Sequence, residues 1–417
     1  IDALIGGIGT SMLGVILLAW FLASILGDLL SGAGLVSGLV WAALQVGITA
    51  PWFPLIVFAV ACLLSVSTGT ALGTIFAVTP VLFPAGFAIG GDPYLLVGAI
   101  VGGAFFGNNI APVSDTTIVS AYTQGATVPK VVRTRLPYAG VALAITVAVY
   151  VLVALMGGSD DGVAEMPADA GPRPLIMLLV PAMLVALMLA GRHFVEALLY
   201  SIVAGIVVAL VAGLLEPSAL FSVDSDAMQA SGILIDGISG TVGVVVFTIL
   251  LMGLIGTVQR GGVIEWLLEK TQGLTTTTRR AELTLIGVVL IVNALVAAGT
   301  PAMVMAGDFV RRIGHRAGIT PWRRANLFDA ASTTLVAFLP YSVALLIPYS
   351  IVAEQVAATG GYNHFSAATL APFVFYCWAL LAVIIVAAIT GWRREFSTSD
   401  ELAAEQLELD AATSRTG

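Results

Sequence analysis

The sequence predicts an all-α polytopic membrane protein built as an inverted-repeat transporter, with two re-entrant hairpins and two broken transmembrane helices. Three observations lead there: the composition, the spacing of the apolar runs, and a polar motif that occurs twice. The 417 residues are 59% hydrophobic and 10% charged, with a mean hydropathy of +1.02, whereas soluble proteins carry about 25% charged residues. Apolar runs of about 20 residues, long enough to span a bilayer, recur along the chain.

The apolar runs divide into two similar units joined by a pair of spans. Repeat 1 covers 1–157, a linker covers 158–230, repeat 2 covers 231–392, and an acidic tail covers 393–417. The predicted elements are a span at 8–28, a hairpin at 52–89, a broken span at 93–122, spans at 135–156, 174–191, 194–215 and 238–258, a hairpin at 281–310, a broken span at 326–352 and a span at 366–391. Each repeat makes an odd number of crossings, so the two repeats should have opposite orientations.

A polar motif interrupts the apolar sequence twice. The segment 109–119 matches 326–336 at an offset of 217 positions, and Gly69-Thr70 matches Gly299-Thr300 at an offset of 230. Irregular polar backbone at membrane depth is tolerated only where it is buried in protein or lines a cavity. Matching interruptions in two halves of a chain therefore point to a transporter's binding site.

Positive charge sets the predicted orientation. Arg279-Arg280 and Arg311-Arg312 flank 281–310 on both sides, and basic residues mark the cytoplasmic side. The segment 281–310 is therefore predicted as a hairpin that enters from the cytoplasm, and by the repeat 52–89 enters from outside. Arg393-Arg394 places the C-terminus in the cytoplasm, and the acidic stretch 159–169 is predicted outside. Long tilted spans remain the alternative for both hairpins.

Polar side chains at the tips and breaks form the candidate site. Sodium needs oxygen ligands, and freed carbonyls and side-chain oxygens at broken helices supply them. The candidate ion or substrate ligands are Ser67, Thr68, Thr70, Asn108, Asn109, Ser114, Thr116, Thr117, Thr300, Asn326, Ser332, Thr333 and Thr334. A Na⁺ ion is expected at Asp115, Asn109 and Thr70.

Asp115 and Asp329 are the candidate proton- and cation-carrying carboxylates. Each lies within a predicted span, and intramembrane carboxylates indicate function by default. Burial favours the protonated form and a bound cation favours the ionised form, so one carboxylate can hold either H⁺ or Na⁺. The structural alternative is a helix-capping role, in particular for Asp115. Asp308 is expected to pair with Arg311 or Arg312.

Several classes of function are excluded by what the sequence lacks. It has no phosphate-binding loop, no nucleophile with a base in register, no metal-ligand spacing and no basic nucleic-acid face. The chain is therefore predicted to be neither an enzyme nor a nucleic-acid binder, with no cofactor and with Na⁺ as cargo. No buried Arg or Lys is evident to bind a carboxylate, which favours cation exchange over the rival, Na⁺- or H⁺-coupled transport of a small carboxylate or amino acid. A channel and a non-transporting scaffold are less consistent with hairpins and intramembrane polar groups.

The motif Phe106–Thr117, with Ser65–Thr70 before it and Val132–Tyr138 after it, resembles the NhaC-type Na⁺/H⁺ antiporters of the ion transporter superfamily. The resemblance covers nearly the whole chain. It implies Na⁺/H⁺ exchange across the cell membrane by an elevator-like carrier that forms a homodimer in the lipid bilayer. Many members have an acidic residue and then often Lys where this chain has Asn108 and Asn109, and related members move organic anions or amino acids. The resemblance thus leaves the cargo open.

Overall fold

A computed structural model describes residues 11–46, 49–156, 171–224, 229–239, 242–262, 266, 270, 277–362 and 364–416. Residues 1–10 of the first predicted repeat, and the acidic stretch 159–169, lie outside the described residues. The α-helices with defined bounds are α1 (Ser11–Gly32), α2 (Leu35–Val46), α3 (Phe53–Thr68), α4 (Ala71–Ala88), α5 (Pro93–Ile110), α6 (Asp115–Gln124), α7 (Val128–Met156), α8 (Leu179–Leu189), α9 (Phe194–Val211), α10 (Pro217–Leu220), α11 (Ile233–Ser239), α12 (Val242–Arg260), α13 (Thr278–Val296), α14 (Gly299–Arg316), α15 (Pro321–Phe338), α16 (Val343–Ala358), α17 (Ala367–Leu370), α18 (Phe375–Thr390) and α19 (Ser399–Thr416).

The described chain is mostly helical, as predicted, apart from one two-stranded antiparallel sheet of Ser222–Asp224 and Gln229–Ser231. Seven of its helical segments are long and apolar enough to cross a membrane, and a bent pair, Ala367–Phe373 with Phe375–Thr390, makes an eighth. The protein is therefore a multi-pass membrane protein. The apolar helices at Arg173–Leu189 and Val245–Leu254, within two of the predicted spans, are shorter.

Both predicted hairpins divide into two helices near the expected positions. The segment 52–89 turns between α3 and α4 at Gly69-Thr70, where Gly69 has a φ of 69° and the Thr70 hydroxyl accepts a hydrogen bond from the Gly73 amide. The segment 281–310 turns between α13 and α14 at Ala297-Ala298, where Ala297 has a φ of 53°. The predicted tip, Gly299-Thr300, instead lies in the first turn of α14, where the backbone amides have no intrahelical acceptor.

The two halves repeat with a different register from the one the polar motifs predict. Helices α4, α5 and α6 begin at residues 71, 93 and 115, and α14, α15 and α16 begin at 299, 321 and 343, a constant separation of 228. Pro112 and Pro340, and likewise Ser114 and Ser342, are related by the same separation. The offsets of 217 and 230 therefore do not describe how the helices repeat, because the helix starts and the prolines of the later breaks align at 228 and the Asn-Thr-Thr similarity does not.

The second polar motif consequently does not interrupt a helix. Residues 326–336 lie wholly within α15, and the break that follows falls at 339–342. Pro340 causes it, since proline has no amide donor and disfavours helical backbone in the residue before it. The first motif does contain a break, at 111–114, between α5 and α6.

Helices α3 and α5 pack closely through small residues. A Cβ added at Gly107 would lie 2.5 Å from the Val66 amide nitrogen, and one added at Gly103 would lie 2.6 Å from the Phe58 carbonyl oxygen. Small residues allow such close backbone approach between membrane helices. This contact fixes α3 against the polar end of α5.

The C-terminal helix α19 is anchored by one carboxylate. Glu405 accepts hydrogen bonds from the Arg324 Nη2 at 2.6 Å and the Arg311 Nε at 3.0 Å, and lies 3.0 Å from the His315 Nδ1. Arg324 is fully buried in α15, while Arg311 and His315 belong to α14. The tail thus ties together the ends of the two helices that carry the second repeat's polar residues.

We expect Glu405→Gln to destabilise the protein by about 3 kcal/mol, because it leaves the buried Arg324 guanidinium without its counter-charge. Thermal unfolding in detergent measures the loss, and tail proteolysis reports whether α19 has detached. Asp400→Asn, at an exposed position of the same helix, should change stability by less than about 0.5 kcal/mol. Equal losses in the two variants would contradict the anchoring role.

The same contact predicts a pH dependence. Burial opposes ionisation of Glu405, but the hydrogen bonds from Arg324, Arg311 and His315 outweigh it and hold the pKa of this carboxyl below its ordinary 4.5. A pKa lowered by folding adds stability that is complete above the unfolded value and is lost as the pH falls through the folded value. Tail proteolysis should therefore be unchanged near neutral pH and accelerate only in acid; acceleration between neutral and mildly acidic pH would count against Glu405 as the anchor.

Candidate functional site

Four helix breaks converge on one cavity of about 400 Å³. Each break brings the C-terminal end of one helix and the N-terminal end of the next to the cavity, so both free carbonyls and free amides lie near it. The breaks supply Thr68, Gly69, Thr70, Ala71 and Leu72, then Asn108, Val113, Asp115 and Thr116, then Ala297, Ala298, Gly299 and Thr300, and finally Val336, Val343 and Ala344; Phe105, Arg192, His193, Phe194 and Thr333 complete the wall.

Asp115 is the carboxylate that reaches this cavity. It is the first residue of α6, its side chain is exposed, and its Oδ2 accepts a hydrogen bond of 2.5 Å from the Thr300 Oγ1. Ser114, not Asp115, occupies the N-cap position, and the structure shows no side-chain cap there. Asp115 is therefore not the N-cap residue of α6, although a carboxylate in the first turn still favours the helix dipole.

The unwound segment between α5 and α6 is held by its own side chains. The Ser114 hydroxyl donates to the Asn108 Oδ1 at 3.0 Å, and the Asn108 Nδ2 donates to the Thr116 Oγ1 at 3.3 Å. Behind them, the Asn109 Nδ2 donates to the Thr333 Oγ1 at 3.4 Å. These bonds satisfy polar groups that would otherwise be costly at membrane depth, whereas the buried Asn109 Oδ1 has no hydrogen-bond partner.

Asp329 lies elsewhere and is not open to the cavity. It is fully buried in α15 and forms an ion pair with Arg135, which is 1% exposed. The expectation that no buried Arg is present is therefore wrong. Hydropathy placed Arg135 at the edge of a span, whereas α7 begins at Val128 and carries Arg135 two turns into the helix.

The remaining polar residues of α15 are hydrogen-bonded within the protein. Asn326 donates to the Thr134 Oγ1 at 2.8 Å, Ser332 donates to the Asn293 Oδ1 at 3.2 Å, and Thr334 donates to the carbonyl of Ala330 at 2.7 Å. They connect α15 to its neighbours and satisfy its own turns.

The predicted site residues thus separate into two groups. Those that line the cavity are Thr68, Thr70, Asn108, Asp115, Thr116, Thr300 and Thr333. Those outside its wall are Ser67, Asn109, Ser114, Thr117, Asn326, Asp329, Ser332 and Thr334. Of the three expected Na⁺ ligands, Asp115 and Thr70 share the cavity and Asn109 lies behind it.

The sequence did not point to two further residues of the cavity wall, one arginine and one histidine. Arg192 and His193 lie in the short connection between α8 and α9. The His193 ring stacks on Phe194 at 4.6 Å between centroids, and Phe194 stacks on Phe76 of α4 at 5.8 Å. The sequence does place this Arg-His pair directly before an apolar span, but only the packing of Phe194 on α4 shows that the pair lies at the cavity.

Asp308 pairs with Arg312 at 2.7 Å, as expected.

Comparison with known proteins gives one family. The model described as the Na⁺/H⁺ antiporter family matches residues 2–155 and 170–392. An uncharacterized protein of Haemophilus influenzae is 32% identical over 162 residues, which are 37% of this chain and 29% of that protein. The Na⁺/H⁺ antiporter NhaC of Alkalihalophilus pseudofirmus is 25% identical over 273 residues, 62% of this chain and 57% of that protein.

A third relative differs in its named cargo. The malate-2H⁺/Na⁺-lactate antiporter of Bacillus subtilis is 28% identical over 197 residues, which are 46% of this chain and 42% of that protein. The three alignments therefore cover between 29% and 57% of the relatives' own lengths.

The turn of the first hairpin offers a direct test of the site's geometry. A Cβ at Gly69 would lie 2.5 Å from the Val113 Cγ2, in a left-handed backbone conformation. We expect Gly69→Ala to destabilise the protein by about 1–3 kcal/mol, measured by thermal unfolding in detergent. Gly140→Ala in α7 is the matched control, since nothing lies within 4 Å of its Cβ position, and it should be neutral or stabilising. Equal melting temperatures for Gly69→Ala and the unmodified protein would contradict this turn.

Proposed function

The chain belongs to the Na⁺/H⁺ antiporter family, and on this premise we propose that it exchanges Na⁺ for H⁺ across the cell membrane by alternating access. The observation that carries the proposal is the position of Asp115, whose carboxylate reaches the cavity on which four helix breaks converge. Na⁺ is cargo, and the carrier has no cofactor and no enzymatic activity.

Asp115 is the shared proton and cation carboxylate in this proposal. A proton and a cation compete for this carboxylate, because a bound cation favours the ionised form and so weakens proton binding. The Thr300 hydroxyl already contacts it at 2.5 Å, and the oxygens of Thr70 and Thr116 lie on the same wall. These groups are the candidate Na⁺ ligands, with Asn109 behind them.

Alternating access is supported by the repeated architecture. The constant separation of 228 positions between three pairs of helix starts supports two related units, and we propose that they are inverted and move in an elevator-like manner. In this proposal the two hairpins enter the membrane from opposite sides. The C-terminus lies in the cytoplasm, and the carrier forms a homodimer. The charged residues at the outer ends of α13 and α14 support a hairpin whose ends lie in the cytoplasm.

A second candidate is the coupled transport of a small organic carboxylate. The cavity has a volume of about 400 Å³. One water molecule occupies about 30 Å³ in the liquid, so the cavity has room for a small organic molecule as well as an ion. One part of its wall is apolar, with Phe105, Phe194 and Val343, while Arg192 adds a guanidinium and His193 an imidazole. A relative is named a malate-2H⁺/Na⁺-lactate antiporter, which supports testing this cargo.

We expect Asp115→Asn to abolish exchange, because an amide cannot release a proton or neutralise Na⁺. The measurement uses proteoliposomes with a trapped pH dye, in which Na⁺ is added against an imposed pH gradient. Asp308→Asn, at an exposed position with a surface ion pair, is the control and should retain exchange. A variant Asp115→Asn that still exchanges Na⁺ for H⁺ would make Asp329 the candidate carboxylate.

The two cargoes are separated by Arg192. If an organic carboxylate is carried, Arg192→Gln should raise its KM about tenfold, the scale of one lost charge-assisted contact, while Na⁺/H⁺ exchange persists. Arg173→Gln, whose guanidinium binds the Ala212 carbonyl away from the cavity, is the matched control. Uptake of labelled lactate and malate gives the readout, and no uptake by the unmodified protein would remove the second candidate.

A further inference from the structure

Arg135 and Asp329 form a fully buried ion pair directly behind the cavity. Their side chains are 1% and 0% exposed, and they come from α7 and α15. An uncompensated charge in such a place is strongly destabilising, whereas a pair carries no net charge. The pair is adjacent to Asp115, because the Thr117 hydroxyl, two residues further along α6, accepts from the Arg135 Nη1 at 2.9 Å.

The guanidinium also holds the broken helix together. Its Nη1 donates to the Asn109 carbonyl at 2.6 Å, at the end of α5 where no intrahelical amide is available. Its Nε donates to the Asn326 Oδ1 at 3.0 Å, and its Nη2 donates to the Ser120 Oγ at 3.5 Å. One side chain of α7 thus contacts both halves of the first broken span and the helix opposite.

We propose that Arg135 is a positioning residue that fixes both the geometry and the charge of the cation site. By neutralising Asp329, it leaves Asp115 as the one carboxylate that exchanges its ion, so Asp115, Asp329 and Arg135 together carry a single negative charge. By capping α5 and binding the first turn of α6, it aims Asp115 at the cavity. The inference rests on the proposed cation exchange and adds the residue that sets its charge balance.

A charge-setting role makes predictions that a purely structural role does not. Removing Asp329 leaves Arg135 unpaired beside Asp115, so the site loses its net negative charge and should bind Na⁺ more weakly. Removing Arg135 leaves two carboxylates, so the site should bind Na⁺ more tightly. Removing both restores a single negative charge.

The experiment compares Arg135→Gln, Asp329→Asn, the double variant and Arg135→Lys in proteoliposomes, with KM for Na⁺ and kcat measured separately. We expect Asp329→Asn to raise KM about tenfold and Arg135→Gln to lower it about tenfold, the scale of one unit charge at a distance of several ångström. The double variant should return KM to within about threefold of the unmodified value. Arg135→Lys keeps the charge and loses the planar fork, so it should lower kcat with KM unchanged.

A second measurement does not depend on transport. Na⁺ stabilises a protein that binds it by an amount set by its concentration and Kd, so melting temperatures in NaCl, with choline chloride as control, should rank the variants as KM does. Losses of kcat in every variant without opposite shifts in KM and Kd would overturn this inference alone. An unmodified protein that neither exchanges nor is stabilised by Na⁺ would overturn the proposed function as well.

Discussion

The constraint on which this structure depends is the unwound segment between α5 and α6. A break at membrane depth leaves backbone groups that lipid cannot satisfy, so the protein must satisfy them itself. The Ser114 and Asn108 side chains bond within the segment, and Arg135 donates a hydrogen bond to the buried Asn109 carbonyl, which has no intrahelical partner. Bringing a guanidinium there requires a counter-charge, which Asp329 provides from α15. The packing of three helices around the site follows from that one break.

The two halves of the protein use the same backbone plan with different chemistry. At the common separation of 228 positions, Asn108 corresponds to Val336 and Asp115 corresponds to Val343. One break is therefore polar and the other apolar, and they line the same cavity. Asp115, the carboxylate of the cavity wall, comes from the first half, while the second half contributes Thr300, Thr333 and apolar residues. The shared backbone plan thus lines one asymmetric cavity.

The sequence predicted those features of the backbone that depend on residues close to one another in the chain. The turn at Gly69 and the break before Asp115 lie where expected, because glycine permits a positive φ and proline disfavours helical backbone in the residue before it. The register of the repeat was missed, since the Asn-Thr-Thr similarity was a stronger pattern than the isolated Pro112 and Pro340. Arg135 was placed at the first residue of a predicted span, because hydropathy puts charged residues at the ends of spans and contains no information about a partner.

By itself the sequence determined the class of the protein, the helices, and most of the positions at which they are interrupted. These depend on hydrophobic length and on backbone restrictions that act within a few residues. Only the tertiary structure decided which polar residues meet. Thr300 and Asp115 are 185 positions apart, and Arg135 and Asn326 are 191 apart. Contacts at such separations are set by how the helices pack, so the open carboxylate, the paired one and the cationic wall of the cavity are properties of the fold.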